Sequence, residues 1–228
     1  MYESGGYRAD NPTWHLEDAR WKADHVAGIL RRNSIVPSSI ADIGCGVGGV
    51  VAELRGLGVG AEHFGFDISP DAITEARSRR GDGIEFVVGY PAAGQRFALA
   101  MLLDVLEHVH DPFALLETAR QASDHVVAHI PLELSVVGAL RPSAFLRARS
   151  MVGHITYFCK ETAIAMFEEV GLEIVATELT AAAIDLPGGG LKRRVARTPR
   201  RLVNAASPDV AARLLGGFSA LILARSRS

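Results

Sequence analysis

The sequence is poor in cysteine and contains no long apolar run. Its 228 residues include two cysteines, Cys45 and Cys159, which excludes a disulfide framework and suits a reducing compartment. No stretch approaches the roughly 20 apolar residues that a membrane-spanning helix requires, and residues 1–25 contain no apolar signal core. The net charge of −2 argues against bulk nucleic-acid binding. We therefore expect a cytoplasmic protein with no membrane span and no nucleic-acid partner.

Apolar segments of strand length alternate with helix-like segments along the chain. This alternation predicts an α/β fold, in which a mostly parallel sheet has helices on both faces. Residues 1–228 are interpreted as a single domain, with a helical N-terminal segment at 1–38 and inserts at 131–155 and 186–217 beyond strand ends. The predicted strands are Ile40–Ile43, Glu62–Ile68, Ile84–Gly89, Phe97–Asp104, His125–Ile130, Leu172–Leu179 and Phe218–Ala224. Because a basic insert rather than a clear crossover pattern separates the last two, we expect them to pair antiparallel at an edge.

A glycine-rich stretch, ADIGCGVGG at residues 41–49, follows the first predicted strand. Gly44, Gly46 and Gly48 lack Cβ atoms where the backbone and a helix N-terminus could approach an adenosine-bearing cofactor. Asp67 ends the next strand, where its carboxylate can accept hydrogen bonds from both ribose hydroxyls. The stretch therefore predicts a cofactor site rather than a plain turn between a strand and a helix.

Two classes of cofactor fit this stretch. Gly44, Gly46 and Gly49 satisfy the dinucleotide pattern G-x-G-x-x-G, which keeps an NAD-dependent oxidoreductase open. Asp42 favours the other class, because a buried acid beside the glycines would repel a pyrophosphate. The same acid suits a ligand that carries a positive charge and an amino group.

Four segments, taken in order, resemble the class I S-adenosylmethionine-dependent methyltransferases: DIGCGVGG (42–49), FDISPDAI (66–73), LLDVLEHVHDP (102–112) and HITYFCKETAIAMFEEVGLEI (154–174). The resemblance implies a Rossmann-like, doubly wound, seven-stranded sheet with a reversed last strand, and S-adenosylmethionine as cofactor. It also implies that Gly44, Cys45 and Gly46 contact the methionine moiety. Many relatives carry an acid after the third strand to bind the adenine, whereas this chain has Gly89 and Tyr90 there. The expected cofactor-binding residues are Asp42, Gly44, Cys45, Gly46, Gly48, Asp67 at the ribose, Ile68 beside the adenine, Gly89, Tyr90 and Asp104.

Acidic and histidine side chains cluster after the fourth predicted strand. Asp104, Glu107 and His108 are spaced i, i+3 and i+4, so one helical turn would point them in the same direction. His154 follows the 131–155 insert, and either His108 or His154 is a candidate general base. The arrangement also resembles ubiquinone-pathway and small-RNA ribose O-methyltransferases, which hold a divalent metal with Glu-x-x-Glu-His. The candidate metal ligands, for Mg²⁺, Mn²⁺ or a similar ion, are Asp104, Glu107, His108 and His154.

Basic residues are concentrated in the two inserts. Residues 139–150 contain Arg141, Arg147 and Arg149 and no acid, and residues 192–213 contain seven bases and one acid. These stretches are either solvated surface or a binding surface for an anionic substrate.

The acceptor is predicted from these features and from one missing motif. No NPPY-type motif of DNA amino-methyltransferases follows the fourth strand, which favours a small-molecule hydroxyl. We therefore predict a methyltransferase that O-methylates a small anionic molecule, such as a sugar, a sugar phosphate or another metabolite. The alternatives are an NAD-dependent oxidoreductase and a non-catalytic binding module with the methyltransferase fold. The acceptor atom and the oligomeric state stay open.

Overall fold

One mixed sheet forms the centre of the protein, for which a computed structural model describes residues 18–80, 83–186 and 200–226. Its strands are β1 (Ser39–Ile43), β2 (Glu62–Asp67), β3 (Glu85–Val88), β4 (Phe97–Leu103), β5 (Ser123–Leu132), β6 (Leu172–Thr180) and β7 (Phe218–Ser226). Their order across the sheet is β3-β2-β1-β4-β5-β7-β6. β7 runs antiparallel to both β5 and β6, and the other paired strands are parallel. The predicted sheet with its reversed last strand is confirmed.

Helices cover both faces of this sheet, as predicted. They are α1 (Ala19–Arg32), α2 (Gly49–Gly56), α3 (Pro70–Arg80), α4 (Pro112–Ala122), α5 (Val136–Ala139), α6 (Pro142–Met151), α7 (Lys160–Glu169), α8 (Ala182–Asp185) and α9 (Pro208–Leu215), and residues 200–206 are also helical. Successive residues of β4 point to opposite faces. Leu99 and Met101 belong to the buried cluster that includes the apolar side of α1. Ala100 and Leu102 belong to the cluster that includes α4 and α7.

Capping residues explain where two of these helices begin. The Asp111 side chain accepts a hydrogen bond from the Ala114 N–H (2.9 Å) at the start of α4, and Ser69 accepts one from the Ala72 N–H (3.3 Å) at the start of α3. Each cap precedes a proline, whose missing N–H is not required in the first helical turn. The helix of the predicted N-terminal segment at 1–38 is observed from Ala19, and residues 1–17 lie outside the described part of the chain.

The segment after β5 contains the two short helices α5 and α6. Ser135 begins α5 by accepting a hydrogen bond from the Gly138 N–H (3.1 Å), and α5 packs against α9. No residue of α6 is buried. Of the second basic insert, residues 187–199 lie outside the described residues. In the described ranges, we find no helix that combines the length and the apolar character needed to span a bilayer.

Candidate active site

The glycine-rich turn leaves open space beyond the carboxyl end of β1. Gly46 adopts φ +54°, and a Cβ atom built on it would have no heavy atom within 4 Å. At Gly44, by contrast, a Cβ atom would lie 2.6 Å from Val105 Cγ2. The turn therefore requires glycine at residue 44 for packing, while Gly46 presents bare backbone to an open space that a ligand can enter.

Gly48, which we predicted to bind the cofactor, does not line this space. It precedes α2 with φ +71°, and a Cβ atom there would lie 2.5 Å from the Phe86 ring. Its lack of a side chain therefore permits the close approach of the β3 side chain to the turn.

Asp67, at the end of β2, is held rigidly beside the glycine turn. Its Oδ2 accepts a hydrogen bond from the Gly46 N–H and its Oδ1 accepts one from the Ser69 N–H, both at 2.8 Å. Burial raises the pKa of this carboxyl, and the two backbone donors partly offset that effect. Because a carboxylate oxygen has two lone pairs, both oxygens can accept a further hydrogen bond from a ligand.

Asp42 is buried directly behind the turn, with 3% of its surface exposed. Burial, together with the charge of nearby Asp67, raises its pKa to about 7, although the positive charge of Lys22 acts in the opposite direction. A cationic ligand beside Asp42 would favour the ionised carboxylate, whereas an anionic ligand would oppose it.

A cavity of about 370 Å³ lies in front of this turn, at the carboxyl edge of the sheet. Open α/β sheets bind their ligands at this edge. The lining contains Asp18 and Lys22 from the N-terminal side and every predicted site residue except Gly48: Asp42, Gly44, Cys45, Gly46, Asp67, Ile68, Gly89, Tyr90, Asp104, Glu107, His108 and His154.

Glu107, His108 and His154 come together at one end of the cavity. One ligand atom from each residue lies within 4.8 Å of the others. Glu107 Oε1 is 3.9 Å from His108 Nε2 and 4.0 Å from His154 Nε2. Glu107 is 1% exposed, and neither of its carboxylate oxygens has a hydrogen-bond partner among the described residues. Burial, together with the charge of Asp104, raises the pKa of Glu107 well above its ordinary value.

Backbone hydrogen bonds explain why His154 reaches a residue 47 positions earlier in the sequence. The N–H groups of Ile155 and Thr156 donate to the Glu107 carbonyl oxygen at 2.8 and 3.1 Å. Tyr157 Oη donates to the carbonyl oxygens of Phe145 and His154 at 3.0 and 3.2 Å. The segment that carries His154 is thus joined to the turn that carries Glu107 and to α6.

A comparison with protein families covers the part of the chain that forms this cavity. The family model described as "Methyltransferase domain" matches residues 16–177, a range that contains every residue of the cavity lining. The chain belongs to the class I S-adenosylmethionine-dependent methyltransferases. The cavity residues fit this cofactor, because Asp42 and Asp67 offer carboxylates to a cationic, ribose-containing ligand and Gly46 leaves space for one.

Three relatives illustrate the range of the family. The methyltransferase is 36% identical over 89 residues to a ubiquinone biosynthesis O-methyltransferase of Cereibacter sphaeroides (strain KD131 / KCTC 12085), and the match covers 36% of this chain and 35% of that protein. The matched part thus spans about a third of the curated relatives' length.

Two solved structures, both with bound S-adenosylhomocysteine, share the fold. Magnesium protoporphyrin IX methyltransferase from Synechocystis PCC 6803 has a TM-score of 0.60 and 18% identity, covering 91% of this chain and 83% of that chain. N-methyltransferase NodS from Bradyrhizobium japonicum WM9 has a TM-score of 0.59 and 18% identity, covering 94% and 92%.

Asp104 does not join the cluster of Glu107 and the two histidines, and this corrects our prediction of its geometry. The turn that follows β4 is a short 3₁₀ helix over Leu106–His108, and Asp104 precedes it with φ +53°. Asp104 therefore is not one turn below Glu107 on a common helix. Its Oδ2 lies 2.7 Å from Lys22 Nζ, and its Oδ1 lies 2.5 Å from His129 Nδ1.

The sequence analysis did not identify three residues at the site of the methyltransferase. Lys22 lies in the helical N-terminal segment, on the apolar stripe, three residues after Ala19 and four before Val26, and this unusual place for a lysine was the available signal. Glu133 follows β5 at the carboxyl edge, and its Oε2 lies 3.0 Å from His154 Nδ1. The position of His129 in the fifth predicted strand suits a core histidine and a site residue equally. It is buried and joins Asp104 to Thr180, whose Oγ1 is 2.8 Å from His129 Nε2.

Proposed function

We propose that this methyltransferase transfers the methyl group of S-adenosylmethionine to a hydroxyl oxygen of a small anionic molecule. The observation that carries the proposal is the convergence of Glu107, His108 and His154 within 4.8 Å at one end of the cofactor cavity. A hydroxyl must lose its proton as it attacks the methyl group, and groups that accept a proton or bind the oxygen promote this step. The local match to an O-methyltransferase supports the same acceptor atom.

The two histidines supply the candidate bases. Their rings meet edge to face with centroids 4.8 Å apart, and both are largely buried. Glu133 Oε2 lies 3.0 Å from Nδ1 of His154, although the two atoms do not have hydrogen-bond geometry. Nε2 of the same ring lies 4.0 Å from Glu107 Oε1. The His154 ring thus lies between two carboxylates at the acceptor end of the cavity, where a general base is needed.

The same three residues form a candidate site for a divalent cation. The buried Glu107 carboxylate has no hydrogen-bond partner among the described residues, and a cation would satisfy it. One carboxylate and two imidazoles favour Mn²⁺, Fe²⁺, Co²⁺ or Zn²⁺ over Mg²⁺. Such a cation, when bound, would lower the pKa of the acceptor hydroxyl and orient it. With Asp104 held by Lys22 and His129, the donor set is smaller than the sequence predicted.

The first basic insert supports an anionic acceptor. Tyr157 links α6 to His154 through its hydrogen bonds to the Phe145 and His154 carbonyl oxygens, so the helix that carries Arg147 and Arg149 is joined to the segment at the acceptor end. Arg141, Arg147 and Arg149 are solvent-exposed or partly exposed, and α6 contains no acid. An exposed basic helix beside the cavity would attract a phosphate or carboxylate group of the acceptor.

The test is methyl transfer to a panel of hydroxyl compounds, each assayed with and without a phosphate group, by the release of S-adenosylhomocysteine. Enzyme treated with EDTA is compared before and after adding Mn²⁺, Zn²⁺ or Mg²⁺, and binding of each ion is measured separately by calorimetry. The cation site is supported if EDTA removes the activity and added metal restores it. It also requires that Glu107→Gln and His154→Asn lose metal binding. Glu62→Gln, at an exposed position of β2, is the matched control.

The outcomes separate the parts of the proposal. Full activity after chelation refutes the cation site and leaves a histidine base, in which case either His108→Asn or His154→Asn abolishes turnover. Methylation of an amine or a carbon in preference to every hydroxyl overturns the proposed acceptor. Equal rates with the phosphorylated and unphosphorylated acceptors overturn the anionic substrate.

A further inference from the structure

Large apolar side chains are exposed in the insert that follows β5. The described residues include fourteen large apolar or aromatic side chains that are exposed, and five of them lie within residues 134–151: Leu134, Val136, Leu140, Leu146 and Met151. Leu140 is 77% exposed and Leu146 is 68% exposed. Single exposed leucines are ordinary, but a concentration of them in one segment indicates a surface that binds a partner.

The same insert carries positive charge and no negative charge. Its bases are Arg141, Arg147 and Arg149, and residues 134–151 contain no aspartate or glutamate. All three arginines are exposed. Their positive charge is therefore not offset within the insert and is directed to the solvent side of the protein.

The geometry of α6 places a leucine and two arginines on one side of the helix. Successive helical residues are rotated by about 100°, which puts Leu146 between Arg147 and Arg149 on the outward side. The inward side carries Phe145, whose ring centroid lies 5.0 Å from that of Tyr157. We define the α5–α6 surface by its exposed members: Leu140, Arg141, Leu146, Arg147 and Arg149.

The α5–α6 surface lies at the edge of the sheet that contains the cavity. The segment with α5 and α6 follows the carboxyl end of β5 at Leu132. Pro131 and Val152, on the two sides of this segment, both line the cavity. The hydrogen bonds of Tyr157 join α6 to the His154 segment. The surface is therefore attached beside the active site.

An anionic bilayer satisfies both components of this surface. Exposed leucines enter the boundary between headgroups and acyl chains, and arginines interact with the phosphate groups of anionic lipids. A second copy of the chain fits less well, because a two-fold interface brings the same surface of both copies together, and this surface carries arginines without acids. A nucleic acid would pair with the arginines but would leave the leucines without an apolar partner.

We propose that the α5–α6 surface binds the face of a bilayer that contains anionic phospholipids. Leu140 and Leu146 enter the apolar boundary below the headgroups, and the three arginines contact the lipid phosphates. The inference goes beyond the proposed function and does not depend on the identity of the methyl acceptor.

The test is flotation of the full-length protein with vesicles of phosphatidylcholine alone and of phosphatidylcholine mixed with phosphatidylglycerol. The wild-type protein should bind the mixed vesicles and should bind phosphatidylcholine alone much more weakly. Each arginine near an anionic surface strengthens binding about fivefold, so the double variant Arg147→Gln/Arg149→Gln should bind the mixed vesicles about 25-fold more weakly. The double variant Leu140→Gln/Leu146→Gln should lose about tenfold or more, because glutamine does not enter the apolar boundary.

Two control variants remove similar side chains at the opposite edge of the sheet. Arg96→Gln/Arg225→Gln removes two exposed arginines, which pair with Asp124 and Glu173. Val36→Gln removes an apolar side chain that is 92% exposed before β1. Both controls should leave vesicle binding nearly unchanged.

The leucine variant separates insertion into the bilayer from simple attraction to phosphate. If Leu140→Gln/Leu146→Gln binds the mixed vesicles as tightly as the wild-type protein, the arginines attract phosphate without insertion, and the proposal is overturned. Failure of the wild-type protein to bind the mixed vesicles overturns it without any variant. If light scattering shows a dimer that the leucine variant dissociates, and vesicles are not bound, the surface belongs to an interface between two copies of the chain.

Discussion

The buried acid Asp42 should make the protein less stable as the pH rises toward neutrality. Burial and the charge of Asp67 raise its pKa from 3.8 to about 7 in the folded state. Between these two values the folded chain holds a proton at Asp42 that the unfolded chain has lost. Stability falls with pH wherever the folded state binds more protons, so this group acts in the direction opposite to a carboxylate in a salt bridge.

The size of the effect follows from the shift. One pKa unit corresponds to 1.36 kcal/mol, and the folded and unfolded forms differ in protonation across the whole interval from pH 5 to pH 7. The contribution of Asp42 should therefore fall by about 2.7 kcal/mol between pH 5 and pH 8, because the carboxyl is half protonated near its pKa and almost fully ionised by pH 8. Asp67 and Glu107, whose pKa values are also raised, add to the same trend in the wild-type protein.

The contribution of Asp42 is isolated by urea unfolding of the wild-type protein and of Asp42→Asn. Both proteins are measured at pH 5 and at pH 8, at constant ionic strength. Asparagine cannot ionise, so the variant should lose about 2.7 kcal/mol less stability than the wild type over this range, while the other titrating groups are common to both proteins. Asp71→Asn, at an exposed position in the first turn of α3, should leave the pH dependence unchanged. The reasoning is refuted if Asp42→Asn shows the same loss of stability as the wild-type protein.

Two further predictions concern ligands. Asp67→Ala should lower the affinity for S-adenosylhomocysteine by about tenfold or more, because a hydrogen bond to a charged group contributes roughly 1.5–3 kcal/mol. An unchanged affinity, measured by calorimetry, would show that Asp67 does not bind the ribose. Arg147→Gln and Arg149→Gln should raise KM for an anionic acceptor more than they lower kcat, and the wild-type KM should rise with salt because exposed charges are screened beyond about 8–10 Å. A KM that is independent of salt, with both variants unaffected, assigns these arginines to solvated surface.

The fold could be predicted because its signals are local. Alternating apolar segments are a short-range feature, and the observed strands lie within a few residues of the predicted ones. β5 is the largest exception: His125–Ile130 was predicted, and Ser123–Leu132 is observed. Of its extra residues, Pro131 and Leu132 pair with β7, a contact between distant parts of the chain that periodicity does not reveal.

The site was predicted less completely, because spacing gives a direction only when the backbone conformation is known. The interval from Asp104 to His108 suits one α-helical turn, but Asp104 adopts a left-handed conformation and the 3₁₀ helix begins at Leu106. The geometry of Asp104 is set by Lys22 and His129, which are 82 and 25 residues away in the sequence. Glu133 likewise reaches His154 only because the segment after α6 is hydrogen-bonded to Glu107.

The charge of the cavity now explains why an S-adenosylmethionine pocket can satisfy the dinucleotide glycine pattern. Gly44, Gly46 and Gly49 meet the spacing G-x-G-x-x-G, and glycine spacing alone does not separate the two cofactors. A dinucleotide would bring two negative charges of a pyrophosphate to this turn, against a buried Asp42 and a lining whose described part holds one lysine and five acids. S-adenosylmethionine instead brings a sulfonium and an ammonium group, whose positive charges suit such a lining. The acids around the glycines, rather than the glycines, select the cofactor.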